Sequence, residues 1–179
     1  MKRNIGARLL GLAGIMVVCL AGTSPGNAQI FEPQISLRDL APSLSTPELI
    51  AHFMWQHFSF ESDPVHFGRK DYWQSPEELF IARRGDCEDF ALFAQELLKR
   101  NGIPSFLMSI YGKGVGHTVC VFKENGKYHV IDGVRVARYG SKTLQELSSE
   151  INPFWQKAAI VVRSSNPAQG KILKRFEKK

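Results

Sequence analysis

The feature that most constrains this chain is a two-residue turn. Asn125-Gly126 sits between two runs of strand-forming residues, His117 to Lys123 and Tyr128 to Asp132. Asn-Gly accepts the positive φ angles of a type I′ turn, the turn whose twist suits two antiparallel strands. Such a hairpin fixes register. Residues whose numbers sum to about 251 then lie opposite one another. His117 and Asp132 lie one cross-strand diagonal from that register, near enough to meet if they share a face.

The elements around the hairpin are readable from caps and periodicity. Thr46-Pro47-Glu48 opens a helix carrying Leu49, Ile50, Phe53 and Met54 at helical spacing. Ser75-Pro76 opens a shorter one through Ala82, ended by Arg83-Arg84-Gly85. Asp86 and Asp89 then form an acidic capping pair. The helix they open carries Phe90, Ala91, Phe93, Ala94, Leu97 and Leu98, an apolar stripe wide enough for a central buried helix. Gly102 closes it. Strands are expected over 105–111, 117–123, 128–132, 134–139 and 158–163. Thr143 to Glu146 caps a short helix. Helices first and an antiparallel sheet after them make an α+β domain.

The ends read differently. Lys2, Arg3 and Arg8 precede an apolar stretch, Leu9 to Gly22, and Gly26-Asn27-Ala28 offers small residues for cleavage. Residues 1–28 are read as a signal peptide, with lipidation at Cys19 and an uncleaved anchor as alternatives. The apolar run is too short and glycine-rich for a membrane span. Residues 29–45 are expected to be an extended arm, 46–165 the folded domain, and 166–179 a basic, frayed tail. The formal charge of +6 resides in the signal and tail, so no basic face for nucleic acid is expected. Export places the protein in the periplasm or outside the cell, where disulfides persist. Of the 3 cysteines, Cys87 and Cys120 survive cleavage.

Cys87 falls in the first turn of the central helix. Unpaired backbone N–H groups and the macrodipole favour a thiolate there. An imidazole completes the activation of a thiol, and a carboxylate behind the imidazole fixes its tautomer. His117 and Asp132 are the pair the hairpin supplies. Taken singly, each has a plainer explanation: a buried small hydrophobe, a structural histidine, a turn aspartate. Their joint placement favours chemistry. The competing reading is a Cys87–Cys120 disulfide. Strand parity opposes it: if His117 faces Cys87, Cys120 faces away.

Arg84-Gly85-Asp86-Cys87-Glu88-Asp89-Phe90-Ala91, preceded by Tyr72-Trp73-Gln74-Ser75-Pro76-Glu77-Glu78-Leu79, resembles the bacterial transglutaminase-like cysteine proteinases of the papain-like superfamily. Gly116 to Val121 is similar to that family's histidine strand, and Tyr128 to Asp132 to its aspartate strand. The resemblance implies a transglutaminase-like domain with Cys87 as nucleophile, His117 as base and Asp132 as orienting carboxylate. It implies a cysteine peptidase acting on protein or peptide, with a transglutaminase or amidase, or an idle binding module on the same fold, as alternatives. Gln74, Trp73 and Tyr72 are candidate side-chain donors to the oxyanion. No organic cofactor is required. Some members use calcium, and Asp86, Glu88 and Asp89 match the positions that hold it. Their plainer role is as helix caps and a solvated glutamate.

Overall fold

The computed structural model describes residues 36–178. The signal-peptide reading and the first part of the expected arm lie outside them. The described part of that arm is not extended. Ser36 caps a helical turn, α1 (Leu37–Leu40), followed by a 3-10 turn at Ala41–Ser43. Leu37, Ala41 and Leu44 are buried, so apolar burial draws this segment onto the domain.

Helix α2 (Pro47–His57) starts at Thr46, whose hydroxyl accepts the Leu49 N–H at 3.2 Å. A two-residue strand β1 (Ser59–Phe60) and a single turn α3 (Asp63–His66) follow. Helix α4 (Pro76–Ala82) has a reciprocal cap between Ser75 and Glu78, and Arg83 ends it at φ 60°. Strand β2 (Arg84–Gly85) runs parallel to β1 and leads directly into α5 (Cys87–Arg100).

The sheet comes next: β3 (Ser105–Gly112), β4 (Val115–Glu124), β5 (Lys127–Asp132) and β6 (Arg135–Ser141). Helix α6 (Leu144–Ile151), β7 (Lys157–Arg163) and β8 (Gly170–Glu177) complete the chain. Strand order is β6-β5-β4-β3-β7-β8, with every pair antiparallel. β8 corrects the expectation of a frayed tail. Its basic side chains sit on an edge strand, where lysines discourage pairing with another chain.

The β4–β5 hairpin has the register read from the turn. Cys120 faces Ile131 and Val121 faces Val130. Asn125 and Gly126 take φ 51° and 77°, as a type I′ turn needs. Helix α5 lies across one face of the sheet: Phe90, Phe93, Ala94, Leu97 and Leu98 pack with Leu107, Cys120, Phe122 and Ile131. Burying each large side chain of that stripe contributes roughly 1.5–3 kcal/mol. The other face carries Met108, Ile110, Val119, Val121 and Val130 against Leu147 and Trp155. The mixed helix and antiparallel sheet expected from the sequence is the architecture found. No helix among the described residues is long and apolar enough to cross a membrane.

Candidate active site

Two local devices bring the site together. The cap of α5 sets Cys87 in the first turn, where its backbone N–H has no intrahelical acceptor. The β4–β5 hairpin sets His117 against Asp132, with Nε2 to Oδ1 at 2.6 Å. That bond leaves Nδ1 as the ring nitrogen for a thiol proton. Cys87, His117 and Asp132 open onto one cavity of about 340 Å³, whose walls include Trp55, Phe58, Phe60 and Phe90. The hydrogen bond from His117 to Asp132 raises the imidazole pKa, and burial opposes it.

Strand alternation separates Cys120 from His117, as the parity argument requires. Cys120 packs on the α5 face of the sheet, while His117 shares parity with Val119 and Val121 on the other. The β4–β5 ladder ends at Cys120–Ile131, so His117 lies beyond the paired part of that edge. The cavity is lined from the α5 side by Phe58 and Phe90 and from the strands by His117 and Asp132. Both thiols are free, so the disulfide is not formed.

The surroundings of Cys87 are acidic. Its Sγ donates to Glu88 Oε2 at 3.0 Å. Burial, then the charge and hydrogen bond of Glu88, push the thiol pKa far up, against a backbone N–H from Thr118 that lowers it. Glu88 is buried rather than solvated, and burial with the neighbouring Asp86 raises its own pKa. A thiol beside an uncompensated carboxylate stays protonated.

Asp89 is the centre of a buried network. Its Oδ1 accepts the Gln74 backbone N–H at 2.8 Å. Its Oδ2 accepts the Gln74 Nε2 amide at 2.7 Å and the Asp86 N–H at 3.2 Å. Burial still lifts Asp89 to about 7. Gly85 is required here, because a Cβ at that position would stand 2.4 Å from Asp89 Oδ2 and 2.7 Å from Gln74 Nε2. The three upstream donor candidates are committed to other partners. Gln74 Nε2 serves Asp89 and the Arg84 carbonyl. Trp73 Nε1 donates to Asp71 and the Tyr72 hydroxyl to Glu78. In this arrangement none of them is an oxyanion donor. The tips of Trp73 and Tyr72 are taken up by nearby carboxylates, and that of Gln74 by the first turn of α5 and the strand before it.

Two acids that the sequence reading passed over join the cluster. Asp63 opens the turn α3 and is buried; its Oδ2 accepts the Tyr72 N–H at 2.5 Å. Asp63, Asp86 and Asp89 offer carboxylate oxygens within 4.8 Å of one another, as do Asp63, Asp71 and Glu88. Asp63 Oδ1 and Asp86 Oδ1 are buried without a hydrogen-bond partner. Burial raises Asp63 to about 6, with the charges of Asp86 and Asp71 adding to it. Asp63-Pro64 is a turn signal in the sequence, and nothing local marks the aspartate as facing inward.

Among known proteins, a UPF0252 protein of Archaeoglobus fulgidus is 35% identical over 63 residues, 34% of this chain. The chain spans about a fifth of that curated relative's length, 20% of it. Calcium-bound LapG of Legionella pneumophila has 23% identity and a TM-score of 0.49, over 79% of this chain and 77% of LapG. A candidate cysteine protease of Cytophaga hutchinsonii has 14% identity and a TM-score of 0.46, over 79% of this chain and 49% of the other. Residues 43–149, more than half of the chain, match the family model described as a transglutaminase-like domain, and the chain belongs to that family.

Proposed function

We propose that this protein is an exported thiol acyl-transfer enzyme, and that its reaction is hydrolysis of a peptide amide. The observation that carries the reading is the 2.6 Å His117–Asp132 bond opening onto the same cavity as the helix-start thiol of Cys87. His117 takes the Sγ proton and the sulfur attacks the amide carbonyl carbon. A C–S bond forms as the carbonyl electron pair moves to oxygen. The Cys87 backbone N–H would stabilise that oxyanion. The imidazolium then gives its proton to the leaving amine as the C–N bond breaks. Water, deprotonated by His117, resolves the thioester. A lysine amine in place of water makes the same enzyme a transglutaminase; the shared first half-reaction does not depend on the choice. Asp132 holds the ring in one tautomer and stabilises its charged form.

The acid cluster fits a calcium ion. Several buried carboxylates with two unpartnered oxygens suit a hard cation that takes many oxygen ligands. Asp63, Asp86 and Asp89, or Asp63, Asp71 and Glu88, would hold it. The cation would supply the positive charge that relieves Cys87 of its carboxylate neighbours.

The test is acyl-enzyme formation. Incubation of the mature protein with p-nitrophenyl acetate at millimolar calcium is expected to acetylate Cys87, read by peptide mass. Cys87→Ser should give no thioester, and His117→Ala should slow its formation by roughly 10⁴-fold. An acetyl group found elsewhere, or His117→Ala acetylating at the parent rate, overturns the proposal. Added methylamine separates the two outcomes: methylamide product marks transfer, and its absence beside free acid marks hydrolysis.

A further inference from the structure

We infer that the cavity beside Cys87 is a subsite for an aromatic or branched aliphatic side chain on the acyl side of the amide, with Arg135 receiving a carboxylate from the adjoining residue. The inference rests on the thiol acyl-transfer reading and names its substrate class. Two large aromatics are left in water at this one place: Trp55 is 65% exposed and Phe60 is 70% exposed. Single exposed apolar residues are ordinary, but an apolar surface gathered in a concavity marks a binding site. Here both rings line the cavity that contains the nucleophile.

The fold holds these rings in position. Phe60 pairs with Gly85 in the β1–β2 bridge, two residues before Cys87, and Glu61 N–H donates to the Gly85 carbonyl at 2.9 Å. The bridge is too short to stabilise much by itself. Its effect is to fix Phe60 relative to the sulfur. Trp55 stacks on His52, with ring centroids 5.8 Å apart. Phe58, at the cavity wall, is packed edge-on against the core ring of Phe93 at 4.8 Å. An apolar side chain entering here removes apolar surface from water on both partners, against walls that are already ordered.

Arg135 adds direction. It follows the Asp132-Gly133-Val134 turn, lines the same cavity and is exposed. Its register partner Asp132 is engaged by His117, and Arg135 forms no ion pair among the described residues. A guanidinium at the rim of an apolar cavity suits a carboxylate. The acyl part is the side committed to, because it stays on the sulfur after the amine leaves. A cavity opening on Cys87 holds it through both half-reactions.

Three peptide chloromethyl ketones test this at millimolar calcium and neutral pH: acetyl-Asp-Phe-Gly, acetyl-Asp-Gly-Gly and acetyl-Lys-Phe-Gly. Cys87 alkylation is expected to be at least tenfold faster with the first than with either other. Trp55→Ala should lower the Phe-over-Gly ratio, and Arg135→Glu should invert the Asp-over-Lys ratio. Both positions are exposed, so the folded state should survive, as a melting curve would show. Equal rates for the three reagents, with Cys87 labelled by all, overturn the subsite and leave the thiol reading standing. Failure of Cys87 to react with these or with iodoacetamide overturns both.

Discussion

Cys87 is held in two opposed environments. The helix start and the Thr118 N–H favour a thiolate, while burial and Glu88 favour the thiol. Two carboxylates near a low-dielectric sulfur outweigh one helix end, whose influence is worth typically 0.3–1 kcal/mol. Under the proposed reading, the thiolate forms once those acids are neutralised. His117 and Asp132 act beyond this balance, and their substitution separates chemistry from folding. Both lie at the end of a hairpin whose strands are held by backbone bonds and by Val119, Val121 and Val130. His117→Ala and Asp132→Asn should each cost on the order of 1–2 kcal/mol of stability. Their cost to acylation should be about 10⁴-fold or more, and the double mutant little worse than either single, because the residues act as one unit. Urea melts beside acylation rates check this, and additive losses in rate would contradict it.

Among the elements, those set by short-range rules were legible in the sequence. The Asn125-Gly126 turn carried the β4–β5 register, and the caps at Thr46, Ser75, Asp86 and Thr143 marked the starts of α2, α4, α5 and α6. Elements decided by distant partners were not. The segment from Ser36 to Leu44 has weak periodicity and folds because three of its side chains find the core. β8 reads as a basic tail and becomes a strand because β7 offers it an edge. In the candidate site, Cys87, His117 and Asp132 were marked by helix start and hairpin, whereas Asp63 and the exposed Trp55 and Phe60 depend on how loops close around α5. The Gln74–Asp89 network shows the same dependence, since it ties the segment before α4 to the first turn of α5 over Gly85. Gly85→Ala should cost about 1–3 kcal/mol as the amide and carboxylate are forced apart. Gln74→Ala should cost a similar ~1–3 kcal/mol by leaving Asp89 short of donors. Their double mutant should fall well short of the sum, and full additivity in denaturant melts would show that the network is not shared.

For the molecule as a whole, the acid cluster couples stability to pH and to cations. Asp63 at about 6 and Asp89 at about 7 lie above the ordinary carboxylate value of about 4. In chelator the folded state thus binds protons more tightly than the unfolded chain. That contribution is fully present below about pH 4 and is lost as pH rises through 6 and 7. Melting temperature in chelator should fall between pH 5 and 8. Calcium at millimolar concentration should raise it most at the upper end, because the cation replaces the protons. A curve that is flat in chelator and unmoved by calcium would leave the acids as helix caps alone. The same coupling defines the most direct test of the central claim, that Cys87 is a nucleophile activated by His117. Brief iodoacetamide treatment at pH 7 with calcium, followed by peptide mapping, reports each thiol separately. Cys87 should alkylate far faster than the fully buried Cys120, and His117→Ala should sharply slow the labelling of Cys87. Equal labelling of the two cysteines, or a Cys87 rate unchanged in folded His117→Ala, would contradict the account.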